Sequence, residues 1–469
     1  MKKSAIIFAL LCFWGSLISQ TALPKNPIMY EVNLRHHTKE GTINAFARRL
    51  PELKALGVNV VWIMPSQPIG KKNRKATGDT FVQDLVNPSN EAVMWDKYKG
   101  SPYSISDYTA VNPDYGTVDD FKALVEKCHR MGMIVILDWV GNHTAWDHAW
   151  ITDHPEWYTK NSKGEITDPL NEDGSSIGWT DVADLNYDNE ELRKAMRTEM
   201  RFWVEEVGLD GFRCDVAMNV PAAFWESAVE ELKSIKPIFM LAEAEEHNMK
   251  LYDKAFDAYY GWQAHEIMNK IAKGEAKAGE LCKATKAKYD KFPKDVFPMN
   301  FITNHDENCW NGTLFERMGD AWKALAVYSY MAPGIPLLYT GQEMGNNKRL
   351  KFFEKDDVAY PKDAMDYFRF YQNLGKIRSA HPELGISKEL NLDAEMTTLR
   401  GDDVITFIRR DTPGKSNNMI WVCINLSNET KKLPKAPKAM DEKENIILTS
   451  STTDLETLEP WGYRVVKMK

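Results

Sequence analysis

Short apolar runs alternate with amphipathic stretches along this chain, and this alternation constrains the fold more than any other feature. Eight runs have the length of a buried strand: 28–32, 58–63, 134–137, 211–215, 238–243, 255–257, 301–304 and 335–339. Strand patterns that alternate with helical patterns are typical of repeated βα units around a parallel sheet. Eight such units predict a (β/α)8 barrel, in which the carboxyl ends of the strands form one face.

Three acidic residues each stand at or just after one of these runs. They are Asp215 in GFRCD, Glu243 in FMLAE and Asp306 in TNHD. Because the carboxyl ends of barrel strands converge on one face, we expect these carboxylates to share one site. In a chain with 67 acidic residues, a single Asp is ordinarily a solvated surface group, and this alternative stays open on spacing alone.

Eight longer segments add a more specific signal. They are GVNVVWIMP (57–65), SPYSISDYTAVNPDYGT (101–117), DWVGNH (138–143), VADLN (182–186), GFRCDV (211–216), LAEAE (241–245), TNHD (303–306) and GIPLLYTGQEMG (334–345). Each segment is a weak signal alone, but together they resemble motifs of the α-amylase family, glycoside hydrolase family 13, in the family's order. The resemblance extends over essentially the whole mature length of the chain.

The resemblance implies a retaining mechanism that acts on α-linked glucans. By motif match, Asp215 is the nucleophile and Glu243 the acid/base, and a retaining pair stands about 5–5.5 Å apart. Asp306 matches the third carboxylate, which helps to keep the acid protonated, since like charges in a confined site raise one another's pKa. In the family this residue also holds ring hydroxyls of the glucose at the cleavage site.

Arg213 stands two residues before the nucleophile and therefore points to the same side of a strand. We expect its guanidinium to keep Asp215 ionised through charge-assisted hydrogen bonds. Asp138 ends another predicted strand, and we expect it to support Arg213 or the site architecture rather than to react.

His143 and His305 resemble the family's pair of sugar-hydroxyl ligands, and Tyr103 resembles the stacking platform beneath that sugar. Each has a structural alternative: the histidines could be hydrogen-bonded structural residues, and the tyrosine could belong to the core.

The resemblance also implies calcium, which takes oxygen ligands and in this family braces the excursion after the third strand. Asn142 and Asp184 match the side-chain ligands, and the carbonyl of Asn219 matches a backbone ligand. The alternative is that Asn142 and Asp184 only hydrogen-bond loop backbone. No glycine-rich phosphate cradle indicates an organic nucleotide cofactor.

Two sequence features of this chain differ from those of many starch-cleaving amylases. Such enzymes often carry Lys and His within four residues after the nucleophile, on the leaving-group side of the sugar, where this chain has Met218 and Asn219. A long stretch, residues 70–99, precedes SPYS and predicts a loop on the active face that could shape substrate choice. For its basic run, residues 71–75, a solvated surface insertion is the alternative.

The N-terminal sequence predicts export. Lys2 and Lys3 precede an apolar run, residues 5–18, and small or polar residues follow, which is typical of a secretory signal peptide cleaved near Ser19 or Ala22. The run is too short for a membrane span, and no other stretch is long and apolar enough. We therefore expect a secreted or periplasmic bacterial protein.

We divide the chain into a signal peptide (1–22), a barrel (23–143 and 184–385), a small loop-rich inserted domain (144–183) and a C-terminal antiparallel β-sandwich (386–469). The sandwich is predicted from short β-rich runs at 404–409, 418–425, 444–449 and 462–468. The net charge of −8, with no sustained basic tract, argues against a nucleic-acid partner and is compatible with a neutral glucan. The oligomeric state stays open.

The sequence thus predicts a retaining endo-acting α-amylase or a related maltooligosaccharide hydrolase. An exo-acting α-glucosidase, a cyclomaltodextrinase or a glucanotransferase would use the same three carboxylates and remains an alternative. A non-catalytic carbohydrate-binding subunit is a more remote one, because such relatives usually lose catalytic carboxylates that this chain keeps.

Overall fold

The computed structural model describes residues 22–171, 173–386, 397–399, 403–410, 418–433, 443–451 and 456–468. Apart from Ala22, the predicted signal peptide lies outside these ranges. No helix within them is long and apolar enough to cross a membrane.

Eight parallel strands close into a barrel, as the sequence predicts. They are β1 Met29–Val32, β2 Val60–Ile63, β3 Ile134–Trp139, β4 Gly211–Cys214, β5 Phe239–Ala242, β6 Ala258–Tyr260, β7 Phe297–Asn300 and β8 Ile335–Tyr339. Each strand pairs with its neighbours in sequence, and β1 closes the barrel against β8. The predicted fold class is confirmed.

Two strands lie elsewhere than predicted. The sixth run was expected at 255–257, but β6 begins at Ala258, and the backbone N–H and side chain of Asp257 bond the preceding strand at Met240. The seventh was expected at 301–304, but β7 is Phe297–Asn300. Pro298 has no N–H to donate, so its presence argues against a strand at this position. The apolar residues that follow β7 have a composition typical of a strand, and the prediction therefore fell on them.

The strands are buried on both faces, which explains their continuous apolar sequences. Alternate residues fill the barrel interior, whereas their neighbours join the larger core beneath the helices. The apolar interior consists of Met29, Val60, Trp62, Ile136, Phe239, Leu241, Ala258, Tyr260, Met299, Phe301, Ile335 and Leu337. A polar residue in phase with this set must therefore point into the barrel.

Helices cover the barrel, and side chains cap the starts of several of them. Thr117 and Asp120 form a reciprocal capping box before Val118–Arg130, and Asn189 caps Glu190–Phe202. The helices are Leu34–His37, Ile43–Ala55, Val82–Leu85, Glu91–Lys97, Val118–Arg130, Trp150–Asp153, Glu190–Phe202, Ala222–Ile235, Trp262–Ala272, Ala278–Lys291, Leu314–Met318, Trp322–Met331 and Ala364–Ala380.

The excursion after β3 starts and ends in a two-stranded antiparallel pair, His143–Ala145 with Val182–Asp184. Between them the chain forms only short elements, including the single-turn helix Trp150–Asp153. Trp157 is buried and packs edge-to-face on Trp150 at 5.1 Å, and both residues join this loop-rich segment to the main core. Trp179 instead faces the cleft described below.

A five-stranded antiparallel sheet follows the barrel. Its strands are β9 Thr397–Leu399, β10 Val404–Arg410, β11 Met419–Asn425, β13 Ile446–Thr449 and β15 Tyr463–Met468, and they pair in the order β9-β10-β11-β15-β13. Two short strands, β12 Lys431–Lys432 and β14 Thr457–Leu458, pair in a separate ribbon. One sheet face joins the main core through Phe407, and Leu458 of the ribbon packs on the other beside Trp421. The second layer makes this a small sandwich.

Candidate active site

The alternation of the barrel strands places polar side chains at the top of the barrel interior. Arg213 follows Gly211 by two residues on β4, Asp138 follows Ile136 on β3, and Glu31 follows Met29 on β1. All three side chains are fully buried. A Cβ on Gly211 would lie 1.8 Å from the carbonyl oxygen of Phe239, so only glycine lets β4 approach β5 this closely.

Arg213 is the centre of the site. Its Nη1 donates to Oδ1 of Asp138 at 2.7 Å and to Oδ1 of Asp215 at 2.9 Å, and its Nη2 forms an ion pair with Oε2 of Glu243 at 2.7 Å. Its Nε donates to the hydroxyl of Tyr260 at 3.0 Å. Arg213 thus contacts the predicted nucleophile as expected and also the predicted acid.

Arg213 holds the predicted nucleophile and the predicted acid side by side, since Asp215 lies 2.9 Å from its Nη1 and Glu243 lies 2.7 Å from its Nη2. Two carboxyl groups on the two terminal nitrogens of one guanidinium fit the separation of about 5–5.5 Å of a retaining pair better than the roughly 6.5–9.5 Å of an inverting pair, which leaves room for a water. Burial raises the pKa of Asp215 to about 6, although Arg213 opposes the rise. Burial raises the pKa of Glu243 to about 7, with Arg213 opposing and Asp215 adding to the rise. This order is the one that the predicted roles require, with Glu243 protonated as the acid and Asp215 ionised as the nucleophile.

The residue after the nucleophile has a rare backbone conformation. Val216 has φ 36° and ψ 48°, in the left-handed region that β-branched residues seldom adopt. In this conformation its N–H donates to Oε2 of Glu243 at 2.9 Å, and the next N–H, of Ala217, donates to the Glu243 carbonyl at 2.8 Å. The strained turn therefore orients the acid relative to the nucleophile.

A second network joins Tyr103 and His305. The Tyr103 hydroxyl donates to Oδ2 of Asp138 at 3.2 Å and lies 2.8 Å from Nε2 of His305, with the two rings stacked at 5.6 Å. Nδ1 of His305 lies 2.5 Å from Oε1 of Glu31, and Nε2 lies 3.2 Å from Oδ2 of Asp306. Burial lowers the pKa of His305, but Asp306 and Glu31 outweigh burial and raise it to about 9.

Glu31 is a site residue that the sequence analysis missed. It is fully buried, and its Oε2 has no hydrogen-bond partner among the described residues. The signal was present in MYEV, because an acidic residue in phase with the interior residue Met29 must point into the barrel. Because the other residues of β1 are apolar or aromatic, the segment was interpreted only as a buried strand, and Glu31 was not identified.

His143 and Asp306 complete the set of predicted sugar ligands that line the cleft described below. His143 is buried beside the edge of Trp179 at 5.7 Å, and burial lowers its pKa to about 4, so it is neutral above that pH. Asp306 was expected at a strand end but lies six residues beyond β7, just before the turn Glu307–Asn311, and is about one-third exposed. The later position results from the shifted β7.

The predicted substrate residues surround one cleft of about 1060 Å³. Its lining includes Lys75, Asp79, Tyr103, His143, Trp179, Asp181, Asp215, Glu243, His305, Asp306, Trp310, Phe352 and Phe353, with Arg213 beneath. Tyr103 and both histidines thus belong to the site and are not only core residues.

The stretch 70–99 contributes a wall of this cleft. The hairpin Lys75–Thr77 with Thr80–Phe81 stands over it, and Nζ of Lys75 donates to the Gly178 carbonyl of the inserted segment at 2.9 Å. Lys75 is buried, whereas Lys71 and Lys72 earlier in the basic run are exposed. The alternative of a solvated insertion therefore holds only for the start of the run.

The predicted calcium ligands are partly assembled. Nδ2 of Asn142 donates to Oδ1 of Asp184 at 3.3 Å, and burial raises the pKa of Asp184 to about 6, because Asn142 and Thr159 offer only neutral partners. Asn219 lies on the exposed turn Ala217–Asn219. The described residues contain no cluster of three or more His, Cys, Asp or Glu side chains suited to a metal.

Comparisons with known proteins agree with this geometry. The chain is 27% identical to Alpha-amylase 3 of Dictyoglomus thermophilum over 359 residues, which are 68% of this chain and 64% of that protein. It is 25% identical to the cyclomaltodextrin glucanotransferase of Geobacillus stearothermophilus over 423 residues, 81% of this chain and 53% of that protein. The chain thus spans between about half and two thirds of these relatives.

Solved structures share the fold over most of the chain. An α-amylase from Lactobacillus plantarum has a TM-score of 0.76 at 25% identity and covers 95% of this chain and 99% of its own. A maltogenic α-amylase from Thermotoga neapolitana has a TM-score of 0.74 at 25% identity, with coverages of 95% and 96%. The sequence model of the α-amylase catalytic domain matches residues 30–373, from β1 to the last barrel helix. This chain therefore belongs to the α-amylase family.

Proposed function

We propose that this protein is a retaining glycoside hydrolase that cleaves α-1,4-glucosidic bonds in starch-like glucans or maltooligosaccharides. The observation that carries the proposal is that one guanidinium, that of Arg213, holds both Asp215 at 2.9 Å and Glu243 at 2.7 Å. This arrangement places an ionised nucleophile next to a protonated acid, the pair that double displacement requires.

In the first step, a carboxylate oxygen of Asp215 attacks the anomeric carbon while the bond to the leaving oxygen breaks. Glu243 transfers its proton to that oxygen. In the second step, Glu243 accepts a proton from water, whose oxygen attacks the same carbon and releases Asp215. Two inversions leave the product in the α configuration.

The other residues hold the sugar. Tyr103 offers a ring face, and His143, His305 and Asp306 offer hydrogen-bonding groups at the edge of the cleft. Asp306 accepts from sugar hydroxyls, and charged His305 donates to them. Their positions around Asp215 fix the anomeric carbon for attack.

A glucanotransferase is the second candidate. It is favoured by Met218, which is 38 % exposed two residues after the strained Val216, at the position where starch-cleaving relatives carry a polar side chain. A less polar leaving-group side contacts an incoming sugar acceptor differently. It therefore changes how often a sugar hydroxyl, in place of water, attacks the glycosyl-enzyme intermediate. The non-catalytic alternative is disfavoured because all three carboxylates line one cleft.

A product time course tests the proposal. Purified protein is incubated with soluble starch, maltoheptaose and pullulan, and products are resolved by size and by anomeric NMR signal. The expected result is early mixed maltooligosaccharides in the α configuration. Products longer than the substrate would establish the transferase, and glucose alone or panose from pullulan would establish another hydrolase specificity.

The variant Asp215→Asn provides the control for this time course. It removes the nucleophile but keeps the side-chain volume, and we expect at least a thousandfold loss of kcat. Hydrolysis at the wild-type rate by this variant would refute the assignment of the nucleophile. Absence of turnover by the wild-type protein on every glucan would favour the binding subunit.

Calcium binding is a further part of the proposal. Asn142 and Asp184 would hold the ion, with the Asn219 carbonyl, and the ion would supply positive charge to a buried carboxylate that has only neutral partners. We expect a chelator to lower the melting temperature of the wild-type protein, with no such effect on Asp184→Asn. Equal melting with and without chelator would argue against the site.

Export to the periplasm or medium is proposed from the sequence of residues 1–22 alone. N-terminal sequencing of protein recovered outside the cytoplasm, with a new terminus near Ser19 or Ala22, tests it.

A further inference from the structure

Three aromatic side chains, Trp310, Phe352 and Phe353, extend the cleft beyond Tyr103, and we name them the aromatic shelf. Trp310 is 52 % exposed and is the only exposed tryptophan among the residues that the structure describes. A large exposed indole is unusual on a soluble surface, and here it belongs to the wall of the cleft.

The shelf is continuous with the platform at the catalytic centre. The rings of Tyr103 and Phe352 are parallel within 2°, with centroids 6.3 Å apart. Trp310 packs against Phe352 at 5.1 Å and against Phe353 at 6.1 Å. An apolar surface therefore leads from the sugar site at Tyr103 out to the exposed indole.

Hydrogen bonds fix the loop that carries the two phenylalanines. Nη1 of the buried Arg35 donates to the carbonyls of Phe352 at 2.9 Å and Gly100 at 3.0 Å. The Gly100 N–H donates to the Phe353 carbonyl at 3.1 Å. The loop is thus tied to the chain segment just before Tyr103.

The turn that carries Trp310 is tied to the same loop. Asn308, two residues before Trp310, accepts from the Leu350 N–H at 2.9 Å and donates to the Lys348 carbonyl at 3.1 Å. Trp310 also follows Asp306 by only four residues, so one short turn supplies both a predicted catalytic carboxylate and the exposed indole of the shelf. A surface held in this way loses little conformational entropy when a ligand binds.

We propose that the aromatic shelf binds a further glucosyl unit of the glucan, next to the unit at Tyr103. The inference rests on the proposed function and identifies a residue that sets substrate length. A pyranose ring presents a C–H face that packs on aromatic rings, and the uncharged shelf suits a neutral oligosaccharide. Its continuity with Tyr103 favours the substrate chain itself as the occupant.

Kinetics with maltoheptaose test the proposal. We compare Trp310→Ala with Trp310→Phe, which keeps an aromatic face, and with Met365→Ala, which removes an exposed apolar side chain outside the cleft (50 % exposed). We expect Trp310→Ala to raise KM at least fivefold with kcat within twofold of wild type. Trp310→Phe should retain most of the affinity, and Met365→Ala should match wild type, all at unchanged melting temperature.

The outcomes separate the two proposals. If the wild-type protein cleaves maltoheptaose and Trp310→Ala keeps KM within twofold, the shelf inference is refuted and the proposed function stands. A fall in kcat without a rise in KM would also refute it, because it would place Trp310 in the chemical step. If the wild-type protein does not cleave maltoheptaose, both proposals fail.

Discussion

Replacing Glu31 with Gln tests whether this buried carboxylate controls the charge of His305. The substitution keeps the size and shape of the side chain but removes the charge that lies 2.5 Å from Nδ1 of His305. Both side chains are buried, so solvent does not screen their interaction. The neutral amide leaves Asp306 as the main group that favours a charged imidazole.

The magnitude follows from the pKa of His305. The difference between about 9 in the protein and its ordinary value of 6.5 corresponds to about 3 kcal/mol in favour of the charged imidazole. Glu31 and Asp306 together supply this preference against burial. Without Glu31, whose charge and hydrogen bond both raise this pKa, burial is opposed mainly by Asp306, so the pKa of His305 falls from about 9 and His305 loses its charge at lower pH than in wild type.

The assay is the pH dependence of kcat/KM on maltoheptaose. In wild type, His305 stays charged over the range in which Glu243 holds its proton, so the alkaline limb reports Glu243 with its pKa of about 7. In Glu31→Gln, His305 loses its proton closer to the pH at which Glu243 does, so the limb should move to lower pH and become steeper. We expect kcat/KM to fall severalfold at pH 7 and above and less at pH 5.

Glu343→Gln is the matched control, since Glu343 is also buried but bonds the Tyr30 hydroxyl at 3.1 Å outside the cleft lining. The pH profile of Glu343→Gln should parallel that of wild type. Glu31→Asp, which keeps a carboxylate at this position, should retain part of the kcat/KM that Glu31→Gln loses. The raised pKa of His305 contributes stability that is complete below pH 6.5 and is lost as pH rises through about 9. A Glu31→Gln profile parallel to wild type would refute the reasoning.

Three further changes have defined outcomes. Glu243→Gln should lower kcat by about 10²–10⁴ on maltoheptaose and much less on an aryl glucoside with a good leaving group; equal losses would contradict its role as acid. Trp203→Ala should lower the free energy of unfolding by about 3–5 kcal/mol, because the buried indole packs on Phe121 at 5.1 Å; urea midpoints measure this. Lys75→Met should raise KM for maltoheptaose severalfold, because it leaves the buried Asp181, 3.7 Å from Nζ, without its counter-charge; an unchanged KM would exclude the hairpin from binding.

Local periodicity predicts the barrel, whereas the roles of the catalytic residues come from motifs that resemble those of the α-amylase family. Residues two apart on a strand share a face, so Arg213 and Asp215 could be placed together from GFRCD alone. The same rule would have identified Glu31. It failed for β7, because Pro298 obscures the strand and the apolar residues after it extend the pattern.

The walls of the cleft could not be predicted in the same way. Phe352 meets Tyr103 although 249 positions separate them in the sequence. Their contact depends on the paths of two irregular loops, which Arg35 joins through backbone carbonyls. Every residue has a backbone carbonyl acceptor, so the sequence does not show which carbonyls Arg35 contacts. The relative position of the two loops could therefore be determined only from the structure.

The charge balance around Arg213 determines which of the two predicted catalytic carboxyl groups, Asp215 or Glu243, keeps its proton. One guanidinium contacts Asp138, Asp215 and Glu243, so it can fully compensate only one of three buried carboxylates. Ionising all three would place uncompensated charge in a buried site, and the group that is most easily protonated must keep its proton. Glu243 has the highest pKa of the three, about 7 against about 6 for the other two, because a glutamate carboxyl has a higher ordinary pKa than an aspartate carboxyl and burial, Asp215 and Asp306 raise it further. The shortage of positive charge at Arg213 is therefore what keeps an acid available beside an ionised nucleophile.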